Sequence, residues 1–192
     1  MTTLSHFVDI DVRPDEDFPS SQLMGALYAR LHKGLVAHGK GDIGVSFPSH
    51  SDRWLGNRLR LHGSADALGQ LMGQDWLKGM RDHLDLSPAS PVPAQVQHRQ
   101  VKRVQTKSSP ERVKRRLVKR LMEREAISAE DAAQRIPDSA AQLADLPSVF
   151  VRSSSTGQSF RLFVCHGPVA SEPQGGGFST YGLSLGASVP WF

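Results

Sequence analysis

Val8, Ile10 and Val12 alternate with Asp9 and Asp11, the two-residue period of a strand with one buried face. Pro14 and Pro19 bracket a loop, after which the period changes. Leu23, Leu27, Leu31 and Leu35 recur every fourth residue, which predicts a helix capped by Ser20 or Ser21, running to about Ala37 and stopped by Gly39. IGVSF at 43–47 and RLRLH at 58–62 then read as two strands around a polar loop. Ser64 opens a second helical stretch that breaks near Gly73, and a further strand falls near 82–86. The order β-α-β-β-α-β is that of the split βαβ, or ferredoxin-like, unit. The predicted fold class is therefore α+β, with a ferredoxin-like domain over residues 1–94.

Pro88, Pro91 and Pro93 mark the segment LSPASPVPAQ as a linker. Beyond it, over residues 95–192, the pattern predicts a smaller C-terminal region. QVQHRQVKRVQ is extended, and a helix covers about 109–123, with Ser108 or Ser109 as its cap, Pro110 in the first turn and Glu111 at the positive end of the dipole. A short helix begins at Ser128 and is closed by Pro137. SVFVRSSS and SFRLFVCH form a hairpin around Thr156–Gly157, with His166 just before a Gly-Pro stop. The glycine-rich tail holds one strand at most.

Charge sharpens this picture. Over the 192 residues the net charge is only +4. Residues 99–124, however, hold eleven Lys and Arg against two acids, Glu111 and Glu123, so this segment carries +9 and the rest of the chain −5. A mildly acidic body with one strongly basic stretch points to a localised polyanion site. On the basic helix Val113, Leu117 and Leu121 form an apolar stripe for docking, flanked by Arg112, Arg115, Arg116, Lys119 and Arg120. The stripe lacks the Trp or Phe of a membrane-inserting helix, and arginine matches phosphate and guanine edges, so nucleic acid is the expected partner and a membrane is not. Just upstream, Arg103 and Gln105 share one side of an extended chain and form a candidate base-reading pair.

Other chemistry is sparse. The single cysteine, Cys165, excludes an internal disulfide and a multi-cysteine zinc site. No glycine-rich phosphate loop, HExxH or GxSxG occurs. Asp9 and Asp11 share a strand face, as the carboxylates of a metal-dependent nuclease do, although a solvent-facing edge accounts for them more simply. No apolar run reaches membrane-span length and no signal peptide is evident, so the expectation is a soluble, cytoplasmic protein.

IGVSFP, RVQTKSSPERVKRRLVKR, RIPD, STGQSFRLFVCHGP, GGFSTYGLS and the final VPWF, in this order over nearly the whole chain, resemble the CRISPR repeat-processing endoribonucleases of the type I-F system. The resemblance implies an enzyme that binds the stem-loop of precursor CRISPR RNA and cuts at the 3′ base of the stem. It would use no metal or other cofactor and would remain bound to the product hairpin. It further implies association with other subunits of a type I-F surveillance complex; a non-catalytic hairpin-binding subunit is the alternative. By position in the shared motifs, His32, Ser153 and Tyr181 are the implied catalytic residues. Ser153 would hold the attacking 2′-hydroxyl, His32 would move a proton and Tyr181 would orient the imidazole. Arg103 and Gln105 match the base readers, and Phe160 an aromatic that stacks on the terminal base pair. Arg112, Arg115, Arg116, Lys119 and Arg120 belong to the groove-binding helix, and Ser155 and Thr156 are implied backbone contacts. Lys119 stands where the family pattern has arginine, and Cys165 where it has a basic residue.

Overall fold

The computed structural model describes residues 4–105, 110–135, 146–152 and 157–192; within 110–116 it describes the backbone and, of the side chains, only that of residue 115. The first strand, β1 (His6–Val12), turns Val8, Ile10 and Val12 into the core. Helix α1 (Ser20–His38) follows, burying Leu23, Leu27, Leu31 and Leu35 together with Met24 and Tyr28. Its N-cap is Pro19, with no side-chain cap, so neither Ser20 nor Ser21 has the capping role expected of it; Ser20 is already helical. Gly39 ends the helix in the left-handed conformation, its N–H donating to Leu35 O at 3.0 Å.

Next come β2 (Gly44–Ser46), β3 (Arg58–Gly63), α2 (Ala65–Met72) and β4 (Leu84–Leu86). Ser64 caps α2 by accepting from Ala67 N–H. The sheet order is β2-β3-β1-β4 with every pairing antiparallel, and the chain order β-α-β-β-α-β is the one the sequence pattern predicts. The proline-rich segment is more than a linker, because β5 (Ser90–Pro91) pairs with His6 and Phe7 of β1.

A second antiparallel sheet, in the order β7-β8-β6-β9, is built from β6 (Gln97–Val104), β7 (Ser148–Arg152), β8 (Ser159–Ala170) and β9 (Val189–Trp191). β8 does not stop at His166. Gly167 and Pro168 together oppose the single residue Gln100, a bulge that lets a proline sit inside a strand without breaking the ladder. The fold class is thus α+β, with a hydrophobic core that draws on both sheets and α1. α1 packs against the edge strand β7 at Gly25, where a Cβ would fall 2.2 Å from the Phe150 carbonyl oxygen. Only glycine allows that approach.

The chain divides into two compact units. One runs up to Val104 and resumes at Pro147, so it contains both sheets; the other spans Gln105–Leu146. Within the second unit α3 (Pro110–Glu125) packs with α4 (Ala129–Arg135). Ser128 caps α4, accepting from Asp131 N–H, and Ala132 within the helix is fully buried. Arg135 pairs with Glu125 at 3.0 Å. Pro137, expected to close α4, lies outside the described residues. Among the described residues no helix is long and apolar enough to cross a membrane.

Candidate active site

On α1, Tyr28 and His32 stand four residues apart and therefore on one face. Each donates a hydrogen bond to the turn at 179–183. Tyr28 Oη donates to Tyr181 O at 2.7 Å, and His32 Nδ1 donates to Thr180 O at 2.8 Å. A carbonyl oxygen can only accept, so Nδ1 must carry the proton. In the neutral ring that leaves the lone pair on Nε2, which has no partner among the described residues. The Tyr181 ring lies flat beneath the imidazole, with centroids 3.9 Å apart and planes 3° from parallel. One hydrogen bond fixes the tautomer of this half-buried histidine, and the bond and the stack together fix its orientation.

The turn has its own supports. Ser179 Oγ accepts from the N–H groups of Tyr181 and Leu183, and Gly182 adopts φ +70°, where its N–H donates back to Ser179 O at 2.8 Å. A side chain at Gly182 would also meet Val45 Cγ1 at 2.5 Å. Gly182 O accepts from Val45 N–H of β2, while Ser184 bonds both backbone groups of Val101 on β6. Tyr181 is consequently held between the two sheets. Burial keeps the Tyr28 hydroxyl protonated well above the ordinary phenol range; Tyr181 adds to that shift and Arg103 opposes it.

Arg103, exposed on β6, extends over this turn. Its guanidinium carbon is 5.4 Å from the Tyr181 ring centroid and 5.6 Å from that of Phe160, which is partly buried. The structure thus brings His32, Tyr181, Arg103 and Phe160 into one neighbourhood. Ser153, Ser155 and Thr156 lie outside the described residues. β6 ends at Val104, so Gln105 follows the strand rather than sharing it with Arg103; its side chain is exposed.

In the helical unit Arg115, Lys119 and Arg120 are exposed, whereas the side chains of Arg112 and Arg116 are not among those described. Lys119 lies 3.8 Å from Glu123, an acidic neighbour of the cationic face. With both groups largely in solvent this pair is worth a few tenths of a kcal/mol, about the usual value for an i,i+4 contact, and leaves the lysine available.

The carboxylate pair proves to have another role. β1 is an interior strand, so Asp9 and Asp11 are not at a solvent-facing edge. Arg60 grips both oxygens of Asp9 at 2.7 and 2.9 Å, and Arg58 grips both of Asp11 at 2.8 Å. Each carboxylate oxygen thus accepts from a guanidinium N–H, and both aspartates are neutralised within the sheet.

Tyr28 and Thr180 were not singled out by sequence reasoning as parts of the site. The Tyr-x-x-x-His spacing was the available signal for Tyr28; nothing marked Thr180, which contributes only a backbone carbonyl.

A fixed imidazole with one open nitrogen, beside an arginine and two aromatic rings, is chemically suited to moving a proton next to an anion. The family described as CRISPR-associated protein (Cas_Csy4) matches residues 7–192. The chain is 51% identical over 191 residues to the CRISPR-associated endonuclease Cas6/Csy4 of Pseudomonas aeruginosa (strain UCBPP-PA14), covering 98% of this chain and 100% of that protein. It is 47% identical over 189 residues to the CRISPR-associated endonuclease Cas6/Csy4 of Escherichia coli (strain UTI89 / UPEC), with coverage of 98% and 100%. The chain belongs to the Cas_Csy4 family and is an endonuclease of the type I-F CRISPR system.

Proposed function

We propose that the protein processes precursor CRISPR RNA in the cytoplasm by binding the repeat stem-loop and cutting at the 3′ base of the stem. The chemistry is transesterification within the RNA. The ribose 2′-oxygen loses its proton and bonds to the adjacent phosphorus, the P–O5′ bond breaks, and the departing O5′ gains a proton. The products are a 2′,3′-cyclic phosphate and a 5′-hydroxyl. No ion is needed to supply a nucleophile, because it is already part of the substrate and held close to the phosphate.

His32 moves the proton through Nε2, Tyr181 positions its ring, and Ser153 holds the 2′-hydroxyl. Arg103 and Gln105 read bases near the foot of the stem. Phe160 stacks on the terminal pair and so sets where the duplex ends. Arg112, Arg115, Arg116, Lys119 and Arg120 hold the stem, with Ser155 and Thr156 against the backbone near the cut. The product hairpin stays bound, and the loaded protein joins other type I-F subunits. One observation carries this reading: the His32 ring, committed through Nδ1 to a carbonyl and flat on Tyr181, presents Nε2 alone.

The His32→Ala variant tests it. Cleavage of a type I-F repeat hairpin should fall by at least about 10²–10⁴-fold, the usual contribution of a general acid or base, with hairpin affinity unchanged. Loss of affinity equal to the loss of rate would make His32 a structural residue and overturn the assignment.

A further inference from the structure

Residues 179–182 form a β-turn, closed by the Gly182 N–H donating to Ser179 O at 2.8 Å. Both ends of the turn are anchored by the backbone. Phe178 N–H donates to Gly41 O, Ser179 N–H donates to Leu183 O, and Ser184 N–H donates to Val101 O. The central peptide, between Thr180 and Tyr181, is held instead by two side chains. Its carbonyl accepts from His32 Nδ1 at 2.8 Å, and its N–H donates to Ser179 Oγ at 3.3 Å. Tyr181 N–H has no other acceptor among the described residues. Ser179 Oγ is itself tied to the base of the turn, where it also accepts from Leu183 N–H at 3.2 Å.

A trans peptide unit is rigid and planar, and its C=O and N–H point in opposite directions. Ser179 Oγ and the His32 ring therefore sit at opposite edges of one plane, and the bond that holds one edge directs the other. A β-turn has two ways to place that plane. Types I and II share the closing hydrogen bond but differ in that the central peptide is turned over, and type II needs a positive φ at the third residue. Tyr181, the third residue here, keeps φ negative. A serine at the first position favours this form, because its hydroxyl reaches the N–H two residues on. Turned over, the peptide would aim Thr180 O away from His32 and leave the Nδ1 proton without its acceptor. Tyr28 does not substitute, since its hydroxyl holds the following carbonyl, that of Tyr181.

We infer that Ser179 is a positioning residue for cleavage: through the 180–181 peptide, its hydroxyl holds the carbonyl that fixes the tautomer and direction of the His32 ring. The inference rests on the proposed function, since it takes His32 to move the proton.

The test compares the whole chain with its Ser179→Ala and Ser179→Thr variants, the second of which keeps a hydroxyl. Single-turnover cleavage of a type I-F repeat hairpin should slow by roughly tenfold or more in Ser179→Ala, since small misplacements of a catalytic group are costly. Affinity for a hairpin blocked by a 2′-deoxy sugar at the cut should stay at the wild-type value, and Ser179→Thr should recover most of the rate. Nitrogen-15 NMR of the imidazoles in the free protein, in alkaline buffer, reads the tautomer directly. His32 should carry its proton on Nδ1 in the wild type and in Ser179→Thr, and should show a mixture of tautomers in Ser179→Ala. A wild-type rate and tautomer in Ser179→Ala would overturn the inference. So would an equal fall in rate and affinity, which would make Ser179 a residue of the fold alone, or a Ser179→Thr variant as slow as Ser179→Ala, which would trace the effect to side-chain size. If the wild type cuts no hairpin, the proposed function fails, and the tautomer comparison still decides whether Ser179 orients His32.

Discussion

At the scale of single residues, the site depends on directing one imidazole. Tyr28 and His32 attach α1 to consecutive carbonyls, and Tyr181 uses its ring rather than its hydroxyl against His32. Two substitutions separate these roles. Tyr181→Phe keeps the aromatic plane and should cleave at close to the wild-type rate. Tyr181→Leu removes it, and with the ring free to tilt the rate should fall by about tenfold or more, since small misplacements of a catalytic group are costly. Single-turnover kinetics with affinity measured separately provides the check; equal rates for the two variants would assign the orienting role to the Thr180 bond alone. His32 itself was visible in the sequence through the family resemblance. Its spacing pointed only to a residue at the edge of a leucine stripe, because the groups that orient it lie about 150 positions away, at Thr180 and Tyr181.

The elements show where local pattern suffices and where it does not. The strand of Val8, Ile10 and Val12 and the helix of four leucines formed where their periods placed them, since each period matches one buried face. Three expectations failed, the first at a local cap and the other two through strand pairing. Pro19 occupies the cap position expected of a serine, the proline-rich linker donates a short strand to β1, and a bulge carries β8 past its Gly-Pro pair. Hydrophobic patterning does not encode strand neighbours, so an interior β1 with arginine-paired aspartates was not legible either. Gly25 was equally silent, although it sets the contact of α1 with β7. Gly25→Ala would place a methyl group against the Phe150 carbonyl and should destabilise the protein by about 1–3 kcal/mol, the usual range for overpacking. Thermal denaturation followed by circular dichroism would show this as a melting temperature lower by several degrees. An unchanged melt would mean that the contact is slack.

Across the whole molecule, the unit that contains both sheets holds two histidines in neutral form. His62, fully buried and bonded to Ser46, is held down to about 3 by desolvation and then by Arg60. His166, stacked on His50 at 3.7 Å, is likewise lowered to about 3 by burial, then by His50 and Arg99. Both stay neutral in the folded chain while the unfolded chain takes up protons below pH 6.5. Their stabilisation is therefore complete above that pH and is lost as pH falls toward 3, with His62 contributing a slope of about 1.4 kcal/mol per pH unit. Between pH 6.5 and about 5, before carboxylates titrate, urea denaturation should show falling stability, with a shallower slope in His62→Gln; the same slope in both would place the proton uptake elsewhere. The basic stretch is the one molecular-scale feature that composition alone disclosed, because eleven cations within one short segment stand out whatever the fold. The candidate site did not stand out in that way, being assembled from α1, β6, β8 and the turn at 179–183. The central claim, a ribonuclease whose nucleophile is the substrate's own 2′-hydroxyl, is tested most directly by incubating the protein in excess EDTA with the repeat RNA from its own locus and with a copy bearing a single 2′-deoxy sugar at the cut. The account requires cleavage of the all-ribose RNA only, at the 3′ base of the stem and ending in a cyclic phosphate. Cleavage of both RNAs, or complete inhibition by EDTA, would contradict it.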